Sequence, residues 1–168
     1  SVLSEVGMFP AALMGLNIKK FKNLNKLINN KNFVSALVKS VTCIYTLLAQ
    51  GKNNSVILNY DSSLNSLGYW YQQLVGESLG KNGKGITPIL SFCPRDHHSL
   101  LQLYLDGPKN KFFTFFTTSK NKFKNKIARG IVPKNMKFIE NKNLNLILNA
   151  QSKATKKIFK LKKIPFRE

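Results

Sequence analysis

The chain has 168 residues, 43% hydrophobic and 11% aromatic, enough for one domain with a real core and too apolar for wholesale disorder. Its net charge of +20 invites a nucleic-acid reading, yet 24 of its 27 basic residues are Lys and only three are Arg. With Asn, Ile and Phe also abundant, this is the bias that AT-rich codons write onto any surface, and the residue that forks onto phosphates and guanine edges is the scarce one.

Taken in chain order, "SVLSEVGMFPAALMGLNI" (1–18) has helical spacing interrupted by Pro10. Phe21, Leu24, Leu27 and Ile28 predict a short amphipathic helix over 20–30. "NFVSALVKSVTCIYTLLAQGKNN" (32–54) predicts a long, mostly buried helix closed by Gly51. Its most apolar run, "VTCIYTLLA" (41–49), is about half the ~20 residues of a membrane span, so no span and no signal peptide are expected. Cys43 and Cys93 lie far apart without metal spacing and read as buried thiols in a reducing compartment.

"SVILNYD" (55–61) suits a central parallel strand. A helix follows from about Ser63 to Leu79, stopped by Gly80 and a "KNGKG" turn. "ITPILSF" (86–92) is a second strand, placed by Pro88 at an edge or a strand start. "DHHSLLQLYLDGP" (96–108) is a short helix with Asp96 as N-cap and Gly107-Pro108 as its stop. "KFFTFFTTS" (111–119) is a strand and a lysine-rich turn region comes next. A final helix, "NLNLILNAQSKATKKIFKLKK", is expected to bury Leu144, Ile147, Leu148 and Ile158. Strands alternating with helices predict an α/β fold, a three-layer sandwich with an open, mainly parallel sheet flanked by helices. In such folds ligands sit beyond the C-terminal ends of the strands.

Four of the seven acids (Asp61, Glu77, Asp96, Asp106) and both histidines fall between 61 and 106, which marks this window as the candidate site. Asp96 and Asp106 also have plain roles at helix ends. Gln73 and Glu77 are four apart and share a helical face with Trp70. A carboxylate held partly desolvated there would suit general-base work; a solvated glutamate pairing with Lys81 fits the spacing equally. His97 and His98 stand in the first turn of a helix, where the backbone dipole favours neutral imidazole, able to accept a proton. They could equally just cover the helix end. A P-loop and a zinc site both lack their spacing.

Together these segments resemble the glucose-6-phosphate isomerase family. "SVLSEVGMFPAALMGL" resembles its G-G-R-[FY]-S-x-x-S-x-x-G signature after the Gly-Gly-Arg-aromatic lead. "NYDSSLNSLGYWYQQLVGESLGK" resembles its Q-x-x-x-E-S-x-G-K segment, "RDHHSLLQLYLDGP" its [GD]-x-H-[SA]-x-x-Q-L, and "NLILNAQSKA" its later alanine-glutamine helix. The resemblance implies that Glu77 is the base moving a proton between C1 and C2 of a sugar phosphate through a cis-enediol. It implies that His98, rather than His97, assists ring opening and that Gln73 contacts substrate. It implies a cytoplasmic homodimeric enzyme of glycolysis and gluconeogenesis, with no metal or organic cofactor and no nucleic-acid or membrane partner. The family's histidine serves the partner subunit's site, so Glu77 and His98 of one chain would work in different sites.

By that resemblance, residues 1–168 are a single C-terminal-type SIS (sugar isomerase) domain, truncated at both ends. The family's arginine would stand just before Ser1, its phosphate-cradling Ser/Thr loops in a preceding domain, and its catalytic lysine after Glu168. The piece alone is therefore expected to be inactive. Two other readings stay open: a non-catalytic sugar-phosphate-binding module of the same fold, and a nucleic-acid binder using "KNKFFTFFTTSKNKFKNK" (109–126).

Overall fold

A computed structural model describes residues 3–118 and 126–168; the expected lysine-rich turn and part of 109–126 lie outside them. The chain divides into two compact units, residues 1–46 and 47–168.

The first unit is helical. Helix α1 (Glu5–Leu13) runs through Pro10 instead of breaking there. The amphipathic helix expected over 20–30 is only half formed: α2 (Ile18–Lys22) gives way to a 3₁₀ stretch, Asn23–Asn29. Asn17 caps α2 by accepting the Lys20 amide at 3.2 Å. Helix α3 (Lys31–Ala49) is as long as predicted, but none of its residues is buried. Its apolar residues, Val38 and Val41 among them, face outward, since apolar spacing defines a helix face without fixing what covers it. Cys43 is likewise exposed rather than buried. By length and composition α3 could cross a membrane; a contiguous-run reading overlooks this because Lys39, Ser40 and Asn32 interrupt the apolar stretch.

The second unit holds the predicted α/β sandwich. Strands β1 (Asn54–Asn59), β2 (Thr87–Phe92), β3 (Lys111–Phe116) and β4 (Phe166–Arg167) form a parallel sheet in the order β2-β1-β3-β4. "SVILNYD" is central and the Pro88 strand is at the edge, as expected. Alternation decides the layers. Val56, Leu58 and Tyr60 point to one face, where Phe113, Phe115 and Phe159 complete the core. Helices α5 (His97–Asp106) and α6 (Leu144–Leu161) cover that face.

Ser55, Ile57 and Asn59 point to the other face, covered by α4 (Asn65–Leu79). Gly68 allows the close approach, since a Cβ there would meet Leu90 Cδ1 at 2.7 Å. Tyr71 and Ser55 share a hydroxyl hydrogen bond of 3.3 Å, and Gln72 Nε2 donates to the Pro88 carbonyl at 3.2 Å.

The buried face of α6 differs from expectation. It is Ser152, Thr155 and Phe159, while Leu144 and Ile158 are exposed. Only Phe159 reaches the centre of the core. The small hydroxyl residues let the helix axis come close to the sheet at Tyr60.

Candidate active site

Glu77 stands in the last turn of α4, which Gly80 ends by donating its amide to the Gly76 carbonyl at 3.1 Å. The chain then reverses through Lys81–Lys84, where Asn82 and Gly83 take left-handed conformations (φ 53° and 70°). Gln73 Nε2 donates to Glu77 Oε1 at 3.1 Å. The carboxylate's recorded partner is thus the amide one turn back, not Lys81. Both side chains are exposed, so the desolvation that would favour a general base is not supplied by the described residues.

The histidines occupy the first turn of α5, after a cis Cys93–Pro94 bond. Asp96 sits at the N-cap position as predicted but does not cap. Its carboxylate turns back to β2, accepting the Phe92 amide at 2.7 Å and Arg95 Nε at 2.8 Å. Burial alone would push this carboxyl up; the Arg95 and Phe92 donors outweigh it and hold it below the usual range. His98 is exposed, and Gln102, four residues on, donates to Asp106 at 3.0 Å.

His97 is the engaged histidine. Thr155 donates its hydroxyl to the Gln151 carbonyl, Tyr60 donates to Thr155 at 3.0 Å, and Tyr60 Oη lies 2.8 Å from His97 Nε2. One proton per hydroxyl then makes His97 Nε2–H the donor to Tyr60, which assigns the Nε2–H tautomer to the neutral ring. Burial raises the Tyr60 phenol well above its ordinary range, and pushes the neighbouring Cys93 thiol up to about 12. Burial also lowers the pKa of His97, against a smaller pull from Asp96.

A folded state that resists protonating a histidine loses stability as pH falls below the unfolded value of about 6.5. The urea midpoint is therefore expected to drop between about pH 7 and 5. His97→Gln, which keeps a donor for Tyr60, should flatten that segment of the profile. An identical slope in the variant would show that other groups carry it.

The sheet topology separates the two candidate chemistries. Helix α4 leaves the C-terminal end of β1 and returns its own C-terminus, with Glu77, toward the N-terminal edge; its 15 residues span about 22 Å. His98 follows the C-terminal end of β2, on the opposite face. Gln73 and Glu77 are brought together; His98 is not brought to them. Only His98 lies at the rim where strand order leads one to look for ligands.

That rim also carries a crevice of about 240 Å³ that sequence reading missed, lined by Asn59, Ser62, Asn65, Tyr69 and Arg95 among others. Asn59 donates to Asn65 at 2.8 Å, and Arg95 lies 5.0 Å above the Phe92 ring, so its polar groups largely satisfy one another. Asn and Asp immediately after a parallel strand were the available signal. Among the described residues no three His, Cys, Asp or Glu side chains cluster as a metal site.

No protein-family model matches the chain. The fold resembles that of a hypothetical protein from Thermus thermophilus, with a TM-score of 0.75, 23% identity, and coverage of 99% of this chain and 42% of that one. Glucose-6-phosphate isomerase of Methanocaldococcus jannaschii is 44% identical over 126 residues, covering 71% of this chain and 31% of the relative. The Campylobacter jejuni enzyme of the same name is 36% identical over 165 residues, covering 92% and 39%. That of Carboxydothermus hydrogenoformans is 31% identical over 174 residues, covering 92% and 36%. The chain thus spans about a third of the length of these relatives, and over that stretch it belongs to the glucose-6-phosphate isomerase family.

Proposed function

We propose that this chain is the second SIS domain of an aldose–ketose isomerase that interconverts glucose 6-phosphate and fructose 6-phosphate. The observation that carries the reading is the 44% identity to a named glucose-6-phosphate isomerase over 126 residues. In the proposed chemistry the Glu77 carboxylate takes the C2 hydrogen of the open-chain aldose as a proton, leaving an enediolate that becomes the cis-enediol as O1 takes up a proton, and O2 gives one up as the ketose forms. Returning that proton to C1 gives the ketose, with no net change of oxidation state. The carbonyl next to the C–H bond supplies the acidity. Gln73 steadies the carboxylate from the preceding turn and contacts substrate, and His98 moves the hydroxyl proton in ring opening.

The distance between Glu77 and His98 across the sheet supports a homodimer in which each site draws these two residues from different subunits. Burial of the exposed Glu77 then falls to groups other than the described residues of one chain. A cytoplasmic enzyme is the matching expectation.

The test is to assay the chain by itself and within a protein carrying its flanking sequence. The 168-residue piece should form no fructose 6-phosphate, and the longer protein should form it. Turnover by the piece alone would overturn the requirement for flanking sequence. A folded, dimeric longer protein that binds sugar phosphate without converting it would make this a binding module instead.

A further inference from the structure

At the N-terminal edge of the sheet, away from the crevice and from His98, the structure holds a second cavity of about 190 Å³. Five lysines line it: Lys52, Lys109, Lys111, Lys162 and Lys163. They come from three separate segments, the turn before β1, the α5–β3 connection and the end of α6. The floor is apolar, made by Tyr104, Phe113 and Ile164 with two prolines. The chain's basic composition alone does not produce this. The crevice at the opposite edge has one basic residue, Arg95, and the apolar groove beside α6, lined by Leu144, Ile147 and Leu148 among others, has none.

Four of the five ammonium groups are held in place. Lys52 donates to the Lys109 carbonyl at 2.9 Å, Lys109 to the Leu105 carbonyl at 2.5 Å, and Lys111 to the Pro108 carbonyl at 3.0 Å. Lys162 pairs with Asp106 at 2.5 Å. Each ammonium has three N–H donors, so these anchors position the charges and leave donors over. Asp106 is the one carboxylate recorded on these lysines among the described residues. Its pKa is lowered, first by the hydrogen bond from Lys162 and then by that lysine's charge. Four cationic residues beyond that pair line one concave surface, where like charges repel and a bound anion offsets the repulsion.

We propose that this cavity binds a small, multiply charged phosphate anion of the pyrophosphate class. The rationale is charge count and shape: a concavity with a surplus of point-like ammonium donors suits a compact polyanion. Lysine serves such a ligand as a point charge, without the fork that a planar carboxylate favours.

The test uses the whole 168-residue chain and inorganic pyrophosphate, followed by titration calorimetry at low ionic strength. Saturable one-to-one binding is expected, weakening as salt is raised. The double variant Lys52→Gln/Lys163→Gln should lose affinity by about tenfold or more. Lys153→Gln/Lys157→Gln, which removes equal charge from exposed positions of the same unit that do not line the cavity, should stay within about twofold. Should the double variant fail to fold by circular dichroism, Lys163→Gln alone, whose side chain has no anchoring bond recorded, serves in its place. Equal losses from both pairs of substitutions would overturn the site in favour of diffuse charge. So would unsaturable binding, or a short single-stranded oligonucleotide that outcompetes pyrophosphate through the same lysines.

Discussion

In the protein carrying this chain with its flanking sequence, Glu77→Gln is expected to lower isomerisation by about 10²–10⁴-fold, the usual worth of a positioned general base. The substitution is nearly isosteric and the site is exposed, so the fold should tolerate it within about 0.5 kcal/mol. The Gln73 amide retains an oxygen acceptor, so the last turn of α4 keeps its geometry. What disappears is the ability to take the proton. KM should stay close to that of the unmodified protein while kcat falls, the pattern of an interaction made only in the transition state. The readout that isolates the chemistry is exchange of the C2 hydrogen with deuterium oxide. Persistent exchange in the variant would remove Glu77 from the reaction, whatever happened to the overall rate.

The second large effect belongs to the core. Phe159→Ala should destabilise the second unit by about 3–5 kcal/mol, a large share of the roughly 5–15 kcal/mol that holds a domain together. Phe159 is fully buried and sits at the junction of three edge-to-face ring contacts, with Phe113 at 4.7 Å, Phe115 at 5.8 Å and Phe166 at 6.1 Å. Removing the ring leaves a cavity that three stiff neighbours on two strands cannot close. Phe138→Ala, at a side chain that is 72% exposed, serves as the comparison and should shift the urea midpoint by no more than about 0.5 kcal/mol equivalent. Similar shifts for the two would mean that the aromatic cluster does not carry the fold.

These two cases also mark what could be read from sequence. The strands were legible because parallel strands buried on both faces appear as short apolar runs, and "SVILNYD" and "KFFTFF" are such runs. Strand β4 was not legible: two residues, Phe166 and Arg167, are too few to show any period. Helix α6 was found, but its inward face was misjudged. Hydropathy selects Leu144 and Ile158, whereas the inward face is Ser152, Thr155 and Phe159, with Thr155 hydrogen-bonded to Tyr60. Helix α3 was found and its burial overestimated, since hydropathy reports a demand for cover without saying which chain meets it. At the site, Glu77 and Gln73 could be paired from a four-residue spacing. That His98 lies across the sheet from them follows only from strand order, which no local pattern contains.

The outer side of β2 has one more consequence. Thr87 and Cys93 donate their amides inward, to Asn53 and Asn59, so by alternation residues 88, 90 and 92 turn theirs outward. Of these, Pro88 has no hydrogen to give, its carbonyl is taken by Gln72, and the Phe92 amide is taken by Asp96. Leu90 alone is left to greet a stranger. An edge strand sealed in this way offers little template for the runaway strand stacking that leads to fibrils.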